Sequence, residues 1–310
     1  MLKPRKPDPM KDTFSSSTAS QAVAHSDLMV PSEGNFTRPR RYVQAQPLQA
    51  ELVIENETGR EAHVANAALS TTVQRDLWDL LHEQSPGKDQ HMLEGSQATA
   101  DFRATDVSRA FDVLRTRLRQ TAKQNGWVNI GVASPTAGCG TTFTATNLAA
   151  SLARVPSSRT VLMDFNMRDP GIASALDMDP NAAGSLRDFL AGDVAISDYI
   201  LRASSTLAVG LGAKPLVDAA EIMQDPDTAI SLAEMRAALR PDIVLYDLPP
   251  LLTYDDTAAF LPQLDGILLV SDGTQTMAKH LAECERVLAD QVPLLGVILN
   301  RARASSIERY

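Results

Sequence analysis

The sequence of 310 residues has only two cysteines, Cys139 and Cys284, and both lie in strongly patterned segments. So few cysteines argue against a disulfide framework and favour a reducing compartment. No run of about 18 or more apolar residues occurs, and the basic start is not followed by the apolar stretch of a secretory signal. We therefore expect a chain that neither spans a membrane nor uses the usual secretory route.

Positive charge is also in short supply. The chain has 29 Lys and Arg against 38 Asp and Glu, a formal net charge of -9. Because nucleic-acid backbones are bound by clustered Lys and Arg, this balance argues against a general nucleic-acid binder. None of the five histidines pairs with a cysteine at metal-ligand spacing, so solvated surface is a better interpretation of them than a metal site.

The composition changes near residue 100. Residues 1–68 are rich in Ser, Thr, Pro, Gln and charges, and they offer too little apolar surface to offset the entropy of ordering. We predict that residues 1–100 are a mostly disordered extension with one helix near 69–84, whose apolar face comprises Val73, Leu77, Leu80 and Leu81. That helix either packs on the main domain as a tether or binds a partner.

Residues 101–310 are predicted to form one α/β domain. It begins with a helix capped by Asp106, whose apolar stripe is Val107, Phe111, Leu114 and Leu118. Six short apolar runs then alternate with helix-length segments: VNIGVAS, TVLMDF, LAVGL, DIVLYDL, GILLVSD and LLGVILN. This alternation is typical of parallel strands joined by crossover helices. It predicts a doubly wound, mostly parallel sheet with its ligand crevice at the carboxyl ends of the strands.

A glycine-containing turn, Pro135 to Thr142, joins the first of these runs to a helical segment. Such a turn directs backbone N–H groups and the helix dipole at an anion, as in a phosphate cradle. The phosphate-loop motif GxxxxGK[ST] is incomplete, because Pro135 stands at its first glycine and Thr141 at its lysine. An ordinary tight turn is therefore an open alternative.

Acidic residues end two other predicted strands. One segment, TVLMDFNMRDP, has Asp164, Asn166 and Arg168 at and after the end of its strand. Another, DIVLYDLPP, has Asp247 at the end of its strand. Carboxylates at strand ends that face a phosphate loop are what a magnesium ion requires, directly or through water. Asp247 could instead cap the next helix, but the order of loop and acids favours a site.

Further motifs follow in a recognisable order: AFxxLRT (110–116), SPTAGCGTT (134–142), NLAASLA, VLMDFNMR, GSLRDFLAG (184–192), AEIM (220–223), YDLPPLLTYDD (246–256) and GVILNR (296–301). Together they resemble the bacterial tyrosine autokinases of capsule and exopolysaccharide synthesis, which are related to the ParA and MinD ATPases. The resemblance covers roughly residues 108–301. It implies a fold of the P-loop NTPase type with a degenerate Walker A motif.

The resemblance also implies ATP and magnesium as cofactors, and it assigns roles to individual positions. The expected nucleotide-binding residues are Gly138, Cys139, Gly140, Thr141, Thr142, Phe143, Arg168 and Asn300. Magnesium would be held by Thr142, Asp164 and Asp247. Asp164 would act as metal-associated acid or general base, Asp247 would order the water shell of the metal, and Asn300 would face the base. Arg168 fits the family pattern, although it could also cap a helix or bind a neighbouring chain.

Two departures from the family weaken the same site. Family members carry lysine where this chain has Thr141, and a hydroxyl cannot place a positive charge between the β- and γ-phosphates. Because phosphoryl transfer depends on positioning and charge, this loss should cost on the order of several kcal/mol in the transition state. Asn166 replaces the second acid of the family motif and removes a carboxylate. Fast kinase chemistry is therefore doubtful.

Two further departures concern assembly and substrate. The family's assembly motif ExxRxxR is occupied by Arg109, Asp112 and Arg115, so the family's self-association is not assumed, although a swapped-charge pairing is conceivable. Family members also end in a tyrosine cluster that is phosphorylated between subunits. Here Tyr310 is the only tyrosine after Tyr254, so it is a candidate phosphoacceptor or a chance occurrence.

Three hypotheses stay open. The chain is a working tyrosine autokinase, a degenerate relative that regulates or scaffolds polysaccharide polymerisation and export, or a positioning ATPase like ParA and MinD. The second is preferred on mechanistic grounds. Its expected partners are a membrane-embedded chain-length regulator or an intact kinase paralogue, a homo-oligomer is a further option, and no nucleic acid is expected. The expected location is cytoplasmic, with a peripheral position at the inner face of the plasma membrane as an option.

Overall fold

The computed structural model describes residues 76–87 and 106–302. Contacts divide the chain into two units, 1–68 and 69–310, and the first lies wholly outside the described residues. The disorder predicted for residues 1–68 and 88–100 therefore stays a prediction, as does the role of Tyr310. All of the described residues belong to the second unit.

An eight-stranded sheet is the centre of this unit, in the spatial order β1-β4-β5-β3-β6-β2-β7-β8. Every neighbouring pair is parallel except β4 with β5. The strands are β1 (His82–Glu83), β2 (Asn129–Ala133), β3 (Thr160–Asp164), β4 (Leu201–Arg202), β5 (Leu207–Gly210), β6 (Ile243–Asp247), β7 (Gly266–Asp272) and β8 (Leu294–Asn300).

Helices lie on both faces of the sheet. They are α1 (Leu77–Leu80), α2 (Asp106–Asn125), α3 (Thr141–Ala153), α4 (Ile172–Leu176), α5 (Leu186–Leu190), α6 (Ile196–Tyr199), α7 (Ala219–Gln224), α8 (Pro226–Leu239), α9 (Asp256–Phe260) and α10 (Ala278–Leu288). Two short 3₁₀ turns occur at Pro180–Ala182 and Leu261–Gln263. Within the part of the chain that the structure describes, none of these helices has the length and apolar character needed to cross a bilayer.

The central strands β2, β3, β6 and β7 are buried at every position, because helices cover both of their faces. Their alternate side chains enter two separate hydrophobic clusters, one on each side of the sheet. This explains why the sequence shows continuous apolar runs at these strands. The predicted α/β fold and all six predicted strands are confirmed.

The helix predicted near 69–84 is present in the described residues but shorter than predicted. Helix α1 ends at Leu80, and the chain then becomes extended so that β1 can pair with β4. Of the predicted apolar face, Leu81 is buried and Leu77 packs against the core, whereas Leu80 is 49% exposed and is the exception. The physical reason is tertiary: pairing at the sheet edge overrides the helical pattern. Residues 69–75 lie outside the described residues.

The helix predicted to start at Asp106 is confirmed as α2, which ends at Asn125. Phe111 and Leu118 are buried and Leu114 packs against the core, as the stripe predicts. Val107 is the exception, since it is 46% exposed in the first turn. The helix starts beyond the edge of the core there, which a periodic pattern does not indicate.

Candidate nucleotide-binding site

The turn between β2 and α3 lies at the carboxyl end of the sheet. Gly138 and Gly140 adopt positive φ values of 78° and 90°, which other residues rarely adopt. Gly140 precedes α3 and gives it no side-chain cap, so N–H groups of the first helical turn are left for a ligand. A Cβ at Gly140 would lie 2.2 Å from Nδ2 of Asn300, which excludes any larger residue without a shift of that side chain.

Two buried carboxylates face this turn. Asp164 and Asp247 lie opposite each other in the register of β3 and β6, and both are fully buried. Thr142 Oγ1 donates a hydrogen bond of 2.6 Å to Asp247 Oδ2, and the N–H of Ile172 donates one of 3.0 Å to Asp164 Oδ2. The Oδ1 atoms of both acids have no hydrogen-bond partner among the described residues. The structure thus brings together the three predicted metal ligands.

Burial sets the protonation of this pair. Desolvation raises the pKa of Asp164 to about 7, opposed by backbone N–H donors that include those of Ile172 and Gly171. Desolvation, followed by the charge of Asp164, raises the pKa of Asp247 well above its usual range. Near neutral pH the pair therefore holds a proton that a divalent cation would displace.

The residues present fit a magnesium ion. No group of three or more His, Cys, Asp and Glu side chains within 76–87 and 106–302 is arranged to hold a metal. Magnesium does not need such a group, because it keeps several waters and takes one or two carboxylates together with phosphate oxygens. Two buried carboxylate oxygens without partners, beside the hydroxyl of Thr142, are suited to that chemistry.

Arg168 lies near the loop, and each nitrogen of its guanidinium donates one hydrogen bond within the chain. It donates to both carboxylate oxygens of Asp256, at 2.7 and 2.9 Å, and to the carbonyl of Val217 at 2.8 Å. It also lies over the ring of Tyr254, 4.7 Å from its centroid. Because Asp256 is fully buried, this bidentate pair holds the arginine in place.

The end of β8 contacts the loop from the other side. Asn300 Nδ2 donates to the carbonyl of Cys139 at 2.9 Å, and Arg301 Nη1 donates to the carbonyl of Gly138 at 2.9 Å. Arg301 Nη1 also donates to Oδ2 of the buried Asp272 at 2.6 Å. In the sequence Arg301 belongs to the motif GVILNR, but no role is predicted for it there. Its position directly after a strand that ends at the loop's edge of the sheet is the signal that could have found it.

The remaining predicted site residues differ in accessibility. Cys139 is fully buried with Sγ 3.6 Å from the hydroxyls of Thr136 and Thr276, so its side chain does not face a ligand. Phe143 is 45% exposed, and its ring meets that of Phe111 edge-on at 6.1 Å. Thr141 is half-buried at the first position of α3. A contact of Asn300 with a base stays a prediction.

A cavity of about 410 Å³ opens above these groups. Its lining includes Gly138, Gly140, Thr141, Thr142, Phe143, Asn166, Arg168, Tyr254 and Arg301. This size lies within the range of small-molecule sites, about 300–1,000 Å³. The cavity is therefore large enough to hold a nucleotide phosphate chain against the loop, and Thr142 in its lining connects it to the buried Asp247.

The altered assembly motif on α2 is engaged within the chain. Asp112 Oδ1 accepts hydrogen bonds from Ser151 Oγ at 2.8 Å and from Arg115 Nη1 at 3.0 Å, and it also contacts Arg154 Nη2. These contacts tie α2 to α3, the helix that starts at the loop. They give Asp112 and Arg115 a role in packing.

No family model matches this chain. Among curated proteins it is similar to EpsB of Ralstonia nicotianae, named as a tyrosine-protein kinase, with 28% identity over 60% of this chain. It is also similar to the succinoglycan biosynthesis transport protein ExoP of Rhizobium meliloti, with 29% identity over 58% of this chain. The matches cover 24% and 23% of those two proteins, so the chain spans about a quarter of their length. The tyrosine-protein kinase YwqD of Bacillus subtilis is 25% identical over 66% of this chain and 84% of its own length.

Solved structures agree with these relatives in fold. The kinase domain of VpsO superposes with a TM-score of 0.57 and 22% identity, covering 67% of this chain and all of that domain. The kinase domain of the Escherichia coli tyrosine kinase ETK gives a TM-score of 0.56 at 22% identity, covering 64% of this chain and 78% of that domain. The comparisons thus confirm that this chain, built on the P-loop NTPase fold, resembles the bacterial tyrosine kinases.

Proposed function

We propose that this chain is a kinase-like regulator or scaffold of exopolysaccharide polymerisation and export that binds magnesium nucleotide weakly and lacks fast phosphoryl transfer. The names of its relatives, tyrosine-protein kinases and a succinoglycan transport protein, support the class. One observation carries the finer statement. Thr142 and the two buried carboxylates lie together as a magnesium site would require, whereas the position of the lysine is occupied by the neutral Thr141.

In this proposal the loop binds the phosphates and the buried acids bind the metal. Backbone N–H groups from Gly138 to Thr142 bind the phosphates, and Thr142, Asp164 and Asp247 hold magnesium. Magnesium, when bound, would neutralise charge on the phosphate oxygens. Thr141 offers only a hydroxyl, so charge that develops on the transferred group is poorly stabilised.

Arg168 does not replace the missing lysine. Moving its guanidinium to a phosphate would leave the buried carboxylate of Asp256 without its bidentate partner. Breaking a buried ion pair in this way costs about 3–5 kcal/mol. The arginine is therefore better suited to shaping the wall of the cavity beside Tyr254 than to binding phosphate.

The setting of this function is also part of the proposal. The chain would act in the cytoplasm, at the inner face of the plasma membrane, on a membrane-embedded chain-length regulator or on an intact kinase paralogue, and it could self-associate. The extension before residue 76 would act as a tether. Deleting residues 1–75, which leaves the packed segment 76–87 in place, should abolish recruitment to membranes that contain the partner.

A deletion strain tests the function as a whole. We expect loss of the protein to change the length distribution of the exported polysaccharide. Wild type and the double variant Asp164→Asn Asp247→Asn, each reintroduced into that strain, should be made at equal levels. Wild type should restore the distribution without detectable phosphotyrosine on the protein. An unchanged polymer in the deletion strain contradicts the proposal, and tyrosine phosphorylation by the purified chain contradicts its non-catalytic part.

An active tyrosine autokinase is a second candidate, because Thr142, Asp164 and Asp247 are brought together as the resemblance implies. It predicts phosphate on Tyr310 after incubation with magnesium ATP. Mass spectrometry of the purified protein would detect it, with Tyr310→Phe as the control. Phosphate that persists on other residues in that control would assign the acceptor elsewhere.

A further inference from the structure

The phosphate loop has a deficit of positive charge, and the cavity above it shows which side chains could compensate. Only two arginines, Arg168 and Arg301, and no lysine line this cavity in the described part of the chain. Arg168 uses Nε, Nη1 and Nη2 in contacts with Asp256 and Val217. This leaves Arg168 two N–H bonds, but the bidentate pair with buried Asp256 holds its guanidinium in place. The cation with more donors left for a ligand is therefore sought at Arg301.

Arg301 is held at the loop through one nitrogen. Nη1 makes both of its hydrogen bonds, to Gly138 O and to Asp272 Oδ2. Nε and Nη2 donate to no acceptor among the described residues, and the side chain is 56% exposed. Three N–H bonds of a guanidinium already anchored beside the loop are thus left for an anion.

The surroundings of Arg301 fix its direction. The carboxylate of Asp272 is itself ordered, because its Oδ1 accepts from both N and Oγ1 of Thr274 at 2.7 and 2.6 Å. Arg301 adopts φ 51°, in the left-handed region that favours glycine, directly after β8 ends at Asn300. A strained turn and an ordered carboxylate that aim one side chain at the loop are typical of a functional position.

We propose that Arg301 is the phosphate-binding cation of this site and takes over, from outside the loop, part of the role of the missing lysine. Its ligand is the phosphate chain of a nucleoside diphosphate or triphosphate on the loop. Arginine suits this role, because its planar donors bind two phosphate oxygens at once and keep their charge. The inference rests on the proposed function, since it requires a nucleotide on the loop.

Calorimetric titration with magnesium ADP tests this assignment in the full chain. We expect Arg301→Gln to weaken binding by about tenfold or more, the loss of roughly one charge-assisted contact. The matched control is Arg286→Gln on α10, where an exposed arginine pairs with Glu283 well away from the loop, and it should leave affinity unchanged.

A double-mutant cycle with Thr141→Lys tests whether the two positions share a role. In the Thr141→Lys background, Arg301→Gln should cost less than about threefold, because lysine then supplies the charge. Arg301→Gln leaves the buried Asp272 without its ion pair, which could itself disturb the loop. The double variant Arg301→Gln Asp272→Asn removes both charges, and it should lose as much affinity as Arg301→Gln alone.

The outcomes separate the inference from the proposed function. Equal affinity of wild type and Arg301→Gln overturns the inference and leaves the proposed function standing. Binding by Thr141→Lys with none by wild type also overturns the inference, while a role as scaffold persists. Tyrosine phosphorylation by wild type that is unaffected by Arg301→Gln overturns both.

Discussion

The hydroxyl of Thr142 donates a 2.6 Å hydrogen bond to the buried carboxylate of Asp247 and so joins the start of α3 to the end of central strand β6. This contact places a hydroxyl, two carboxylates and a helix N-terminus within one site. The contact is present although the preceding residue, Thr141, is threonine where the family carries lysine. In the proposed function, metal binding and charge compensation at the phosphates are therefore separate tasks of different residues.

Thr142→Val tests the metal-binding half. Valine keeps the shape of the side chain and removes the hydroxyl, so magnesium-dependent nucleotide binding should be lost. The variant also removes a partner of buried Asp247 and should lower the free energy of unfolding by about 1–3 kcal/mol. Calorimetry and chemical denaturation measure the two effects. Thr142→Ser, which keeps the hydroxyl, should bind as wild type does, and equal loss in both would contradict the metal role.

The raised pKa of Asp164 predicts how stability depends on pH. Its folded pKa, about 7, lies above the value of about 3.9 expected in the unfolded chain, so the folded state binds more protons between these limits. Without magnesium the free energy of unfolding should therefore fall as pH rises from about 4 to 7. Denaturation at a series of pH values would show this slope.

Asp164→Asn serves as the control for that dependence. The amide cannot ionise, so the slope should be shallower and magnesium should no longer stabilise the protein above pH 7. An identical slope in wild type and variant would show that Asp164 does not hold the proton.

Gly140 is predicted to be intolerant of a side chain. Gly140→Ala combines a positive φ with a clash against Asn300, whereas Gly126→Ala has a positive φ and open space around its Cβ. The difference in unfolding free energy between the two variants should be about 1–3 kcal/mol, the usual cost of overpacking. Nucleotide binding should be lost only in Gly140→Ala. Equal stability of both variants would mean that Asn300 does not hold the loop.

Trp78 should anchor the segment 76–87 on the domain. It is 2% exposed, its Nε1 donates to the carbonyl of Ser205 at 3.0 Å, and Arg159 lies 5.1 Å from its ring centroid. Trp78→Ala should cost about 3–5 kcal/mol of unfolding free energy. Leu80→Ala, in the same helix but half exposed, should change it by about 0.5 kcal/mol or less. Similar losses in both variants would contradict specific docking.

The sequence predicts much of this fold because the central strands are buried on both faces. Their apolar runs and the acids at their ends can be read without a structure, and Asp164 and Asp247 do lie side by side. The two-residue strands β1 and β4 carry no such signal, since they form by pairing at the sheet edge. The helix predicted near 69–84 ends early, at Leu80, for the same reason.

Contacts between distant segments account for the rest. Nothing in the local sequence shows that Arg168 is bound by Asp256 or that Arg301 reaches Gly138, because these partners are 88 and 163 residues apart. The prediction for Asp164 and Asp247 depended on strand ends, which periodicity locates well, and that for Thr142 on the resemblance of the loop. The roles of the arginines depend on side-chain partners that only the folded chain brings together.

The most direct test of the proposed function is a calorimetric titration of wild type and Thr141→Lys with magnesium ATP, on the full chain under identical conditions. We predict weak binding by wild type and binding at least about tenfold tighter by Thr141→Lys, because the lysine restores charge at the phosphates. Tight binding by wild type that the substitution does not improve would contradict the claim that Thr141 limits this site.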